Sequence, residues 1–137
     1  MHITIEYIAG LFDGEGCITC NHTQSAPIIH LQVSNCNRPI LEELKAFFGH
    51  GTIQTNGGGG DRPVYCWHTS GASKVTEVLT KLLPYLRIKQ KQASIALKLC
   101  ERIINRVGRA WPALTYEEYS LREGLAEEIT RLNKGGT

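Results

Sequence analysis

The chain has 137 residues, 42% hydrophobic and 20% charged, with 15 Lys and Arg against 13 Asp and Glu for a formal net charge of +2. That size and balance fit one globular domain over residues 1–137, large enough to bury a real core. They exclude a highly charged disordered chain; no apolar run approaches the length of a membrane span, so no membrane partner is expected, and the near-neutral balance leaves nucleic-acid binding to local surface features.

The start, Met1-His2-Ile3-Thr4-Ile5-Glu6, has no basic region followed by an apolar core. No secretory signal is therefore expected, and the protein is read as intracellular. Its five cysteines fall inside apparent strands and helices and are read as reduced thiols. Cys17 and Cys20 form a CxxC, but residues three apart on a strand point to opposite faces. No second pair completes a four-ligand set, so zinc is not expected.

The first element is a helix over about 4–15. Ile5, Ile8, Leu11 and Phe12 recur at helical spacing, with the small Ala9 and Gly10 between them. Asp13 and Glu15 follow where the helix should end, at the pole that disfavours carboxylates; a bound cation would relieve them. Gly14 and Gly16 are read as permissive backbone. Next come two strands, Cys17 to Thr23 and Ile28 to Asn35, broken by Gln24-Ser25-Ala26-Pro27. Ile29, Leu31 and Val33 share one face of the second strand. Asn37-Arg38-Pro39 starts a helix carrying Ile40, Leu41, Leu44, Phe47 and Phe48, ended by Gly49. A second hairpin pairs Gly51 to Asn56 with Val64 to Thr69 across a tip of four glycines, 57–60, then Asp61 and Arg62. Tyr65 and Trp67 share one face; Cys66 and His68 share the other.

Ser73 is expected to cap a further helix through Val75, Val78, Leu79 and Leu82 to Leu83, stopped at Pro84. The next begins near Lys89 and carries Ala93, Ala96, Leu97, Cys100, Ile103, Ile104 and Val107, with Gly108 ending it. Trp111-Pro112 is a connector. Thr115 with Glu118 reads as a capping box, and Leu114 with Tyr119 as a staple. The last helix, about 115–133, carries Leu121, Leu125 and Ile129, and Asn133 to Thr137 reads as a frayed polar tail. The fold class is therefore α+β: α-β-β-α-β-β-α-α(-α), with a four-stranded antiparallel sheet and its helices on one face.

By strand alternation the sheet's other face carries Thr19, Asn21, Thr23, Ile28, His30, Gln32, Ser34, Gln54, Asn56, Cys66 and His68. Amides, hydroxyls and imidazoles of this kind read base edges in a major groove. The face is nearly free of Asp and Glu, unlike an ordinary solvated sheet. Phosphate contacts are expected from Arg38, Arg62, Lys74, Arg87, Lys89, Lys91 and Lys98. Arg87-Ile88-Lys89-Gln90-Lys91 places cations at a helix start, where the dipole disfavours them; a phosphate there would relieve them.

Ile8-Ala9-Gly10-Leu11-Phe12-Asp13-Gly14-Glu15-Gly16 resembles the motif of the LAGLIDADG homing endonucleases, with Phe12 at the variable apolar position and Glu15 replacing the second Asp. Pro84 to Gln92 is similar to the segment that supplies the family's active-site lysine, which falls on Lys89. Val33-Ser34-Asn35 is similar to the stretch where the family places polar active-site residues, here Asn35. Arg38 stands for a basic position, with different spacing around Asn37-Arg38-Pro39. The resemblance implies a saddle-shaped sheet and metal-dependent phosphodiester hydrolysis of double-stranded DNA. It places Mg²⁺ on Glu15 and the Gly14 carbonyl, with Mn²⁺ able to substitute and Ca²⁺ allowing binding without cleavage. It gives catalytic roles to Glu15, Lys89, Asn35 and Arg38, DNA contacts to the open face and Arg62, and shaping of the turn to Asp13.

One motif per chain supplies one active site, so cutting both strands calls for a homodimer. Its expected interface is Ile8, Ala9, Gly10, Leu11, Phe12 and Asp13. A strand of about seven residues at ~3.3 Å each covers about seven base pairs at ~3.4 Å each, so the target is expected to be long and near-palindromic, as suits an intron-borne rare cutter. The alternative is a non-cleaving binder of the same fold, a transcriptional regulator or an RNA maturase. A small-molecule or protein-interaction module explains the sheet but not the acidic turn. The chain opens on Met rather than a splicing nucleophile, against an intein-embedded form.

Overall fold

In a computed structural model of the chain, the described residues are 2–22, 27–56, 62–110 and 113–135. Thr4 caps the first helix, α1 (Ile5–Glu15), by accepting from the Tyr7 amide at 3.2 Å. Strands β1 (Gly16–Asn21) and β2 (Ile28–Asn35) follow, then helix α2 (Arg38–Phe48). Asn37 caps α2 from the Ile40 amide at 3.1 Å, and Gly49 closes it in the left-handed region at φ 79°. Strands β3 (Thr52–Asn56) and β4 (Val64–Ser70) precede helix α3 (Ala72–Leu82), a 3₁₀ turn at Leu83–Tyr85, helix α4 (Gln90–Ile104) and helix α5 (Tyr116–Asn133). The order is the one expected. The hairpin tip at 57–61 and Trp111-Pro112 lie outside the described residues.

The sheet is antiparallel throughout, in the order β1-β2-β4-β3. Ile18, Ile29, Leu31, Val33 and Trp67 on one face are at most 1% exposed, against Ile8 and Phe12 of α1 and Val75, Val78 and Leu79 of α3. The period-2 apolar pattern of the strands thus meets the 3.6-residue stripes of the helices. Trp67 is anchored further by donating from Nε1 to the His50 carbonyl at 3.0 Å.

Several local expectations are corrected. The residue before α3 is Gly71, at φ 98° and with no side-chain cap; Ser73 lies inside the first turn. Helix α4 stops at Ile104, and residues 105–108 form turns before a two-residue hairpin, β5 (Arg109–Ala110) with β6 (Ala113–Leu114), that the sequence did not announce. Thr115 does accept from the Glu118 amide, at 3.3 Å, but the Glu118 carboxylate goes to Arg102 instead of completing the box. On α5 the buried positions are Glu118, Arg122, Ala126 and Ile129, with Leu121 exposed. Asn133 is not frayed: its Nδ2 donates to the Ile18 carbonyl at 2.7 Å, covering the outer edge of β1. Of the tail beyond it, 136–137 lie outside the described residues.

Candidate functional site

Helix α1 ends at the rim of the sheet, and its last turn sorts the two carboxylates. Asp13 is 9% exposed. Its carboxylate accepts from the amides of Arg87 at 2.8 Å, Ile88 at 3.2 Å and Lys89 at 3.1 Å. In return, Lys89 Nζ donates to the Asp13 main-chain oxygen at 2.7 Å. The misplaced acid and the misplaced cation therefore relieve each other: a carboxylate meets the amides that lead into α4, and an ammonium meets the carbonyl end of α1. Phosphate is not needed to explain Lys89, nor metal to explain Asp13.

Glu15 is different. It is exposed, and no hydrogen bond or ion pair reaches its carboxylate from any described residue. It remains an acid at the negative pole of a helix. Gly14 beside it is also exposed, and a Cβ there would touch nothing within 4 Å. The Glu15 carboxylate and the Gly14 main-chain carbonyl are hard oxygen donors, the kind that Mg²⁺ or Ca²⁺ takes. No group of three His, Cys, Asp or Glu able to hold a metal occurs among the described residues. A cation on Glu15 and Gly14 would thus draw its remaining ligands from water, phosphate or another chain.

Asn35 lies at the end of β2 and accepts from the Asn37 amide at 2.8 Å, shaping the turn into α2. Among the described residues its amide nitrogen has no acceptor. Arg38 opens α2, pairs with Glu42 at 3.2 Å and lies over the Tyr65 ring at 5.3 Å. Its contacts run toward β4 and along α2, not to Glu15 or Lys89.

The open face forms as alternation requires. Register sets Cys17, Gln32, His68 and Thr52 in one row across the sheet, and Thr19, His30 and Ser70 in the next. Thr19, Asn21, His30, Gln32, Gln54, Cys66 and His68 line a shallow hollow of about 280 Å³. The Nε2 atoms of His30 and His68 are buried there without a partner. Ile28 is 44% exposed, while Cys66 is 5% exposed, its thiol 3.8 Å from Gln32 Oε1. Ser34 pairs across from Cys66, and Asn56 pairs with Val64. Thr23 and the Asn56 side chain lie outside the described residues. Arg62 is exposed beside the hairpin tip. None of the described open-face positions carries a carboxylate, ammonium or guanidinium. The reading of the sequence missed Cys17, Thr52 and Ser70, which the same alternation would have found. Burial pushes the Cys17 thiol up, and the Lys89 ammonium pulls it down by a lesser amount. Cys20 faces the other way, opposite Ile29.

Burial divides the residues expected at the dimer surface, leaving Gly10 and Leu11 accessible and the others enclosed. Ile8 and Ala9 are 0% exposed and Phe12 is 1%, all enclosed in this chain's own core, and Asp13 is spent on Arg87 to Lys89. The surface that α1 leaves open is Glu6, Tyr7, Gly10 and Gly14, with Leu11 half-buried. Tyr7 is 55% exposed and Ile88, on the turn held by Asp13, 71%.

Comparison with known proteins agrees with this geometry. The LAGLIDADG endonuclease family model matches residues 8–103, a stretch holding Glu15, Lys89 and the open face. The DNA endonuclease I-CvuI of Chlorella vulgaris is 27% identical over 108 residues, 72% of this chain and 65% of the relative, so the match spans just under two thirds of that relative's length. The fold is that of I-CvuI in complex with its target, with a TM-score of 0.75 at 22% identity over 93% of this chain and 80% of that one. It is also that of the archaeal intron-encoded homing endonuclease I-Vdi141I complexed with DNA, at 0.77, 18%, 93% and 82%. The homing endonuclease I-TnaI matches over 100% of both chains, with a TM-score of 0.75 at 17% identity.

Proposed function

The chain belongs to the LAGLIDADG endonucleases, and on that premise we propose that it is an intracellular, site-specific endonuclease that cuts both strands of a long, near-palindromic DNA site as a homodimer, with a divalent metal at Glu15. The observation that carries this reading is Glu15 itself. It is an exposed carboxylate at a helix C-terminus, two residues from the carbonyl that holds the Lys89 ammonium and directly before the first strand of the uncharged polar sheet face.

Each part of the chain has a task. The open face presents neutral donors and acceptors to base edges, and exposed cations such as Arg62, at the start of the segment leading into β4, meet the phosphates. Glu15 and the Gly14 carbonyl would hold the metal. Mg²⁺ bound there would supply an activated water and charge stabilisation at the leaving oxygen. Lys89 offers its remaining N–H groups to the charge that develops on the phosphate, and Asn35 orients solvent through its free amide donors. The relative I-CvuI has been solved with its target in the presence of Ca and with another target in the presence of Mg, the DNA there not cleaved. Divalent ions and bound duplex are thus compatible in a protein of this fold.

The dimer is supported by the open side of α1. A Cβ on Gly10 or Gly14 would meet nothing in this chain, so two copies of α1 could approach closely along that line. That contact brings two active sites to one duplex.

The test is selection from a randomised duplex pool, first by binding in EDTA and then by cleavage in Mg²⁺. Glu15→Gln is expected to retain binding while single-turnover cleavage falls by about 10²-fold or more, the scale of losing a group that stabilises transition-state charge. Cutting by Glu15→Gln at the parental rate would sink the assignment; binding without cutting by the parent would make the protein a regulator or maturase-like binder.

A further inference from the structure

We propose that Asp13 is a positioning residue for Lys89: its buried carboxylate fixes the Arg87 to Lys89 turn so that the lysine ammonium is held at the C-terminal end of α1 before any DNA arrives. The inference rests on the reading of Lys89 as an active-site group.

Two helix ends lack what they need from their own sequence. The residue at the cap position of α4 is Lys89, and α4 has no side-chain cap of its own. A lysine ammonium is a donor only and cannot accept from amides. Helix α1 has no basic residue in its last turn to meet its carbonyls. The carbonyl end of α1 receives Lys89 Nζ, and the turn that leads into α4, up to the cap residue's own amide, is held by Asp13, across more than seventy residues of chain. Asp13 accepts from three successive amides, and Lys89 Nζ returns to the Asp13 carbonyl.

The consequence concerns the free end of Lys89. Its stem is flexible and would otherwise sample many rotamers. One of its three N–H groups is committed to the Asp13 carbonyl, and two remain for water or phosphate. The ammonium is thereby fixed two residues along the backbone from Glu15, so the charge is in place without reorganisation at the moment of reaction. Asp13 need not touch substrate or metal to matter for the chemistry.

Trace acetylation of lysines, read by peptide mass spectrometry without DNA or metal, tests the placement. In the parental protein Lys89 is expected to react about fivefold more slowly than exposed Lys91, the ratio that one net hydrogen bond of about 1 kcal/mol corresponds to. Asp13→Asn is expected to remove that difference while Lys45 keeps its rate. Equal rates for Lys89 and Lys91 in the parent would overturn the placement whether or not the variant folds. The link to catalysis is tested on the selected duplex with Asp13→Asn, Lys89→Ala and the double variant. If Asp13 acts through Lys89, the double variant cleaves no more slowly than Lys89→Ala alone, with duplex binding unchanged by Asp13→Asn; losses that multiply would overturn the link. A parent that cleaves nothing overturns the nuclease reading instead, and leaves the acetylation ratio to decide where Lys89 sits.

Discussion

A methyl group at position 16 would lie 2.5 Å from Phe12 Cδ2 and 2.6 Å from the Phe12 carbonyl oxygen. Gly16 itself has extended backbone, φ −88° and ψ 164°, so its need for glycine is not the conformational freedom the sequence suggested. It is close approach, where the chain turns from α1 into β1 over the Phe12 ring. Gly16→Ala is therefore expected to lower stability by about 1–3 kcal/mol, the usual cost of forcing extra volume into a packed site. An unchanged urea midpoint with an unchanged slope would show that the ring gives way freely. The same turn shows what can be read at the scale of single residues. Asp13 and Lys89 were visible as charges on the wrong helix ends, because the dipole rule is local. That they answer each other was not visible, because nothing local links position 13 to position 89. Of the two acids in this turn, Glu15 is the one left unanswered among the described residues, and that is what separates it from Asp13 two residues earlier.

At the scale of elements, strands were easier to read than helix faces. Alternation put Thr19, His30, Gln32 and His68 on the open face because a strand has only two sides. Helix α5 was harder: a stripe of Leu121, Leu125 and Ile129 is good periodicity, yet Leu121 is 42% exposed while Glu118 and Arg122 are each 4%. Those two are buried because Glu118 meets Arg102 at 2.6 Å and Arg122 donates to the carbonyls of Arg102 and Val107 at 3.2 Å. A hydrophobic pattern cannot announce a buried polar network. The seam of β1 and α4 carries a further consequence. Burial, then Cys100 and Glu123, push the Cys20 thiol from an ordinary 9.0 up to about 11; burial pushes Cys100 to about 11 as well, against hydrogen bonds that lower it. The unfolded chain therefore releases these protons first. The contribution is fully present below pH 9.0 and is lost as pH rises through about 11. Urea unfolding between those limits should show falling stability in the parent, with a shallower fall in the Cys20→Ala, Cys100→Ala double variant. Parallel pH slopes would show that the two thiols do not titrate in this way.

At the scale of the whole molecule, the question is what covers the outer side of α1. The sequence pointed to this helix as the dimer contact through Ile8 to Asp13 together, since Ile8, Ala9 and Phe12 satisfy a helical period equally well facing inward or outward. The core took that stripe, and the remaining side carries Tyr7, Gly10 and Gly14. Glycine inside a helix costs about 1 kcal/mol relative to Ala, and neither glycine repays it through contacts within this chain, because a Cβ at either would meet nothing within 4 Å. In the proposed dimer their value lies outside the chain, in letting another backbone come close. This separates folding from assembly in a single substitution. Gly10→Leu should leave the isolated fold intact, or stabilise it by up to about 1 kcal/mol through better helix propensity, while keeping two copies of α1 apart. Sedimentation should then show the proposed dimer in the parent and monomer in the variant, with the thermal midpoint extrapolated to low protein concentration no lower than the parent's. A variant that stays dimeric would place the twofold contact elsewhere, and one that is monomeric but unstable would mean that Gly10 serves its own chain after all.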